Sequence, residues 1–140
     1  LTKSFYLTLF IKLIVYIFVV IIYIINLKFN FMKKLYRIRK NEEFSRIIGE
    51  KHSISSANFV LYTSDKKEDN ARVGISVSKK LGDAVDRNRI KRQVREMARS
   101  IIDFDNDSKD VIIIVRSPFL KGTYQDNLAD LEKLIKKAII

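Results

Sequence analysis

The sequence predicts an α+β fold: a single domain with one mixed, four-stranded sheet and helices packed on it. Three observations carry that expectation. ANFVLYT (57–63) and RVGISVS (72–78) are strand-length runs rich in β-branched and aromatic residues, and a third run, VIIIV (111–115), is continuously apolar. Arg87–Ile102 contains neither Gly nor Pro and repeats its apolar residues with helical period. A last periodic stretch follows Pro118 and Gly122. With a short strand near Ile54, the strands number four.

The whole chain is 140 residues with formal charge +11. That length suits one domain and a core. The charge points to a polyanionic partner, nucleic acid before an anionic membrane. There is no cysteine, which excludes disulfides and thiolate chemistry and fits a reducing compartment. One histidine, His52, excludes a multi-histidine metal cluster.

Residues 1–31 differ from the rest. From Phe5 to Leu27 nearly every residue is Ile, Leu, Val, Phe or Tyr, with Lys12 the only charge. As a helix this run spans about 30 Å or slightly more, enough for a bilayer core. Its main residue types are those that AT-rich codons encode, the chain opens on Leu, and composition changes abruptly at Met32-Lys33-Lys34. The expectation is that Met32 is the true start and residues 1–31 are upstream sequence translated by an over-extended frame. A transmembrane or signal segment is the alternative. Without Lys3, Lys12 and Lys28, residues 32–140 still hold 24 basic and 16 acidic residues, net +8.

From Met32 onward the elements read in order. Lys33–Lys40 (KKLYRIRK) is a basic arm. Asn41 can cap a short helix, 42–48, with Glu42 and Glu43 in its favourable first turn and Gly49 at its end. Strand 57–63 directs Phe59 and Leu61 to one side and Asn58, Val60 and Tyr62 to the other. Strand 72–78 buries Val73, Ile75 and Val77, leaving Arg72, Gly74, Ser76 and Ser78 outward. Across the turn SDKKEDN (64–70) these two strands look like an antiparallel hairpin. Strand 72–78, helix 87–102 and strand 111–115 make a β-α-β unit expected to be parallel, with the helices on one face of the sheet. DFDNDSKD (103–110) starts like a calcium loop but has Ser108 and Ile114 where Gly and Glu are needed, so it reads as a solvated acidic turn. VIIIV reads as buried on both faces. Thr123 can cap the last helix, whose apolar stripe is Leu128, Leu131, Ile135 and Ala138.

The most informative stretch is Ser78–Arg99, with eight basic residues against three acids. Gly82 breaks the preceding run, and Asp86 reads as the N-cap of the helix after it. On a helical wheel Ile90, Val94, Met97 and Ile101 form the dry stripe. Asn88, Arg92, Arg95 and Arg99 lie opposite, with Arg87, Lys91 and Arg89 on the shoulders. Clustered cations repel one another, so such a face reads as one that meets phosphates. The opposite face of the sheet, with Val60, Tyr62 and Ser76, offers an aromatic on which an unstacked base could lie. No paired carboxylates and no nucleophile–base set is visible, so the chain shows no chemistry of its own.

Arg72-Val-Gly-Ile-Ser-Val-Ser-Lys-Lys80, Gly82, and Ala84-Val-x-Arg-Asn-Arg-x-Lys-Arg92 resemble the signature of the protein subunit of bacterial ribonuclease P. Asn41-Glu-x-Phe44 and Phe59-Val-Leu-Tyr62 extend the likeness over residues 32–140. The resemblance implies an αβββαβα order with a left-handed β-α-β crossover, against the usual rule. It implies a holoenzyme that removes the 5′ leader of precursor tRNA by Mg²⁺-dependent hydrolysis, with the catalytic centre on the RNA subunit. It implies contacts to that RNA from Lys79, Lys80, Arg87, Asn88, Arg89, Lys91, Arg92 and Arg95. It also implies a leader cleft at Phe44, Ile48, Val60, Tyr62 and Ser76, with Ile48 standing where the family often has an aromatic. The implied partners are the ribonuclease P RNA and precursor tRNA, neither DNA nor a membrane, in the cytoplasm. A general RNA-binding or ribosome-associated protein would explain the charge but not the cleft.

Overall fold

The computed structural model describes residues 2–29, 32 and 34–139. Lys33 of the basic arm lies outside the described residues. The chain divides into two units, 1–31 and 32–140. The first holds one helix, α1 (Thr2–Phe29), of which Thr2–Asn26 is long and apolar enough to cross a membrane.

The second unit runs α2 (Asn41–Gly49), β1 (Ser53–Ser55), β2 (Phe59–Asp65), β3 (Val73–Val77), α3 (Ala84–Ile101), β4 (Lys109–Val115) and α4 (Tyr124–Ile139). The strands form one mixed sheet in the order β1-β2-β4-β3. β1 and β2 pair antiparallel, as do β2 and β4, while β3 and β4 are parallel, as the β-α-β reading requires. The hairpin expected between 57–63 and 72–78 does not form, because β4 lies between them. The cause is the apolar run itself. Ile112 and Ile113 are fully buried, and a strand that apolar at an edge would leave unpaired backbone groups beside an exposed hydrophobic surface.

Alternation then gives the sheet two covered faces. Phe59 and Leu61, Val73 and Val77, and Val111, Ile113 and Val115 join Ile90, Val94 and Met97 of α3 and Leu131 and Ile135 of α4 in the main core. Ile112 points to the other face and meets Ile47 of α2 and Ile38. The expectation of helices on one face is therefore corrected: α2 packs on the second face, where Ile112 needs cover. Arg72 is on that face too, as alternation predicts, but it is buried rather than outward. Its guanidinium reaches Asp110 at 2.8 Å and Glu43 of α2 at 2.9 Å. Asp110 is fully buried in β4 and does not belong to the acidic turn.

Three local signals shift. Lys40 occupies the N-cap of α2 without a side-chain cap, and Asn41 is already helical. The left-handed residue after α2 is Lys51 (φ 58°), not Gly49. Ile114 is half-buried, so β4 is not dry on both faces along its whole length. Thr123 caps α4 as expected, its Oγ1 accepting from the Asp126 N–H at 3.2 Å.

Candidate functional site

The loop before α3 is built from short polar contacts. Ser78 Oγ accepts from the Lys80 N–H at 3.2 Å, closing a 3-10 turn at Lys79–Leu81 that leaves both lysines exposed. Gly82 follows at φ 144°, where a side chain would also strike Asp86 at 2.7 Å. The residue that caps α3 is Asp83, not Asp86: its Oδ1 accepts from the Asp86 N–H at 2.9 Å. Asp86 instead accepts from Arg89 at 2.7 Å. The helix thus starts one turn earlier than its apolar stripe suggests, because Val85 is exposed and adds nothing to that stripe.

Along α3 the stripe Ile90, Val94 and Met97 is buried with Ala98, and Ile101 is half-buried. This fixes the rotation of the helix. Asn88, Arg89 and Arg92 are exposed, and Arg87, Lys91, Arg95 and Arg99 half-buried. Arg89 and Arg99 have carboxylate partners three residues back, Asp86 and Glu96. Such exposed pairs contribute little. Arg95 is different. Burial, and then the charges of Arg37, Arg92 and Arg39, hold its pKa below the ordinary guanidinium value. Arg37 and Arg39 belong to the basic arm, where sequence reasoning saw charge but no site. The signal was available: in Arg37-Ile38-Arg39 a buried isoleucine alternates with two cations, as in an edge strand. Arg37 does bridge to Val73 at the open edge of β3.

On the second face the strands line up in rows. Val60, Ile114 and Ser76 lie side by side across β2, β4 and β3; Tyr62, Ile112 and Gly74 form the next row. α2 covers the second row, with Phe44 against Gly74. Phe44, Ile48, Tyr62 and Ile114 surround the buried Ile38, Ile47 and Ile112. The five expected cleft residues, Phe44, Ile48, Val60, Tyr62 and Ser76, are all half-buried. They share the sheet face beside α2 with the half-buried Ile114, which the sequence reading passed over as core. α2 is tied down by Arg72. Burial opposes the charge of that guanidinium, but its bonds to Asp110 and Glu43 outweigh this and raise its pKa.

The family model described as Ribonuclease P matches residues 32–139. A ribonuclease P protein component of Bacillus cereus is 42% identical over 108 residues, 76% of this chain and 94% of its own length. One from Bacillus anthracis is also 42% identical, over 91% of its length. The chain belongs to the ribonuclease P protein family.

Solved structures agree. The Staphylococcus aureus RNase P protein matches with 43% identity and a TM-score of 0.65, covering 74% of this chain and 94% of that one. The Thermotoga maritima RNase P protein matches with 30% identity and a TM-score of 0.63, covering 72% and 96%. A ribonuclease P protein component belongs to a tRNA-processing holoenzyme and has an RNA partner there. In this chain α3, with its cations, and α2, with the expected cleft residues, pack on opposite faces of one sheet.

Proposed function

We propose that this chain binds the catalytic RNA of ribonuclease P through α3 and the Ser78–Gly82 loop, and holds the 5′ leader of precursor tRNA against the sheet face beside α2. Leader removal then takes place on the RNA, which carries the reactive centre. The observation behind this reading is the division of labour across the sheet. One side presents Lys79, Lys80, Arg87, Asn88, Arg89, Lys91, Arg92 and Arg95, a surface suited to the phosphates of a folded RNA. The other presents Phe44, Tyr62, Val60 and Ser76, half-exposed groups suited to a single strand whose bases are unstacked. Holding both RNAs raises substrate affinity and screens their mutual repulsion, which lowers the Mg²⁺ requirement.

In this reading Mg²⁺ is held mainly by the RNA. The holoenzyme would work in the cytoplasm. The test is reconstitution. The full chain is mixed with ribonuclease P RNA and leader removal is assayed as Mg²⁺ is lowered. Stimulation of cleavage supports the proposal; an RNA that cuts no better with the protein than without it overturns it.

A further inference from the structure

A pocket of about 440 Å³ lies between the first half of α3, the 3-10 turn Ser117–Lys121 and the start of α4. Small-ligand sites occupy about 300–1,000 Å³. The buried Ile90 and Phe119 line its apolar part, joined by two exposed groups, Leu120 at 54% and Tyr124 at 38%. The polar lining from α3 is Asp86, Arg89 and Gln93. Arg89 donates to Asp86 Oδ1 at 2.7 Å, which holds acid and cation together, and a carboxylate keeps lone pairs beyond that bond. Asn127 of α4 also lines the pocket. Its Oδ1 accepts from Asn58 at 3.1 Å and its Nδ2 donates to the Phe119 carbonyl at 3.0 Å, so it shapes the pocket and leaves recognition to α3. An aromatic ring beside a few donors and acceptors suits a single unstacked base: the ring takes its flat face and the polar groups its edge. A site for phosphate alone would need neither the leucine nor the tyrosine, and Asp86 would repel it.

We propose that this pocket receives one unpaired base of the catalytic RNA, with Tyr124 stacking on it and Asp86, Arg89 and Gln93 reading its edge. The proposal rests on the reading of α3 as the RNA-binding face. The base belongs to that RNA because Arg89 lines the pocket and is also one of the exposed cations of α3, with the exposed Arg92 one turn further on. A strand whose phosphates follow these arginines runs beside the pocket. Asp86 selects among bases: its carboxylate accepts from the amino group of adenine, cytosine or guanine, and uracil has none.

The full chain is prepared as wild type, Tyr124→Ala, Tyr124→Phe and Arg92→Ala. Affinity for ribonuclease P RNA is measured across a salt series. The Tyr124 ring and Gln93 side-chain amide NMR signals are followed as adenosine, cytidine or uridine, which carry no phosphate, is added to the wild type. Tyr124→Ala should bind the RNA roughly tenfold more weakly, the size of a base–aromatic stack. Its salt slope should equal that of wild type, since no phosphate contact is lost. Tyr124→Phe keeps the ring and should keep the affinity. Adenosine and cytidine should move both signals saturably, and uridine should move them less. Unchanged sheet amide signals in Tyr124→Ala, Ile112 among them, exclude unfolding as the cause. A loss accompanied by a shallower slope means a phosphate contact and overturns the base pocket. So do unmoved signals, or an equal response to uridine. If Tyr124→Ala binds as wild type while Arg92→Ala is weakened, the pocket alone has failed. If neither variant is weakened, the wider reading of α3 has failed with it.

Discussion

Phe44 lies against the bare backbone of Gly74, so closely that a methyl group at 74 would stand 2.6 Å from its Cζ. The glycine is therefore a seat for the ring, and it decides where α2 meets the sheet. Because φ at this residue is not in the left-handed region, the obstacle to a side chain there is steric, and the atoms nearest to it belong to the ring.

Gly74→Ala should push Phe44 out of its place without touching α3. Binding of leader-bearing precursor tRNA by the reconstituted holoenzyme should weaken, while binding of mature tRNA and of the RNA subunit stays unchanged. Tyr62→Ala, on the same face, should act in the same direction. Equal losses for precursor and mature tRNA in equilibrium binding would remove this face from leader recognition.

Arg92→Ala removes an exposed cation from α3. Affinity for ribonuclease P RNA should fall and its salt dependence flatten by about one unit. Helicity should not change, since the buried stripe is intact. A salt series of filter-binding or fluorescence titrations measures both quantities.

Arg72→Met should be the most destabilising of these changes. It leaves Asp110, fully buried, without the guanidinium that pairs with it, a loss of about 3–5 kcal/mol for a broken buried pair. Glu43 loses its link to the sheet in the same step. Urea unfolding, followed by far-UV circular dichroism, should show the midpoint drop.

Lys51→Gly should stabilise the fold. Lys51 sits at φ 58°, a conformation that costs an L-residue about 1–2 kcal/mol. Glycine relieves that but loses more chain entropy on folding, so a net gain of about 0.5–1 kcal/mol is expected. A rise in thermal midpoint measures it.

The two ends of the legibility range are α3 and β2–β3. The buried stripe of α3 follows from a 3.6-residue period with no interruption, and Ile90, Val94 and Met97 are buried while Asn88 and Arg92 are exposed; Arg95 and Arg99, which the wheel sets opposite the stripe, are half-buried because their neighbours in space are not on the helix. Strand neighbours are another matter. Periodicity says which way Val60 or Ser76 points but not which strand lies alongside, and nothing local in residues 57–78 announces that β4 intervenes. The same gap hid Asp110. Read as the end of an acidic turn, it was separated from Arg72 by 38 positions, and only the parallel pairing of β3 with β4 brings them together. The cap was missed for a smaller reason. Asp83 and Asp86 have the same chemistry, and the exposed Val85 hides the first turn from any search for an apolar stripe.

Of the two inner strands of the sheet, β4 is also the last strand the ribosome makes. Until residues 109–115 leave the exit tunnel, β2 and β3 have no common neighbour, α2 has no Ile112 to rest on, and α3 has only one parallel strand beneath it. Most of the long-range pairing is therefore deferred to the end of translation. A nascent chain stopped short of Lys109 would carry its cationic segment as a loose polyelectrolyte, free to meet any nearby polyanion before the rest of the domain has closed around it.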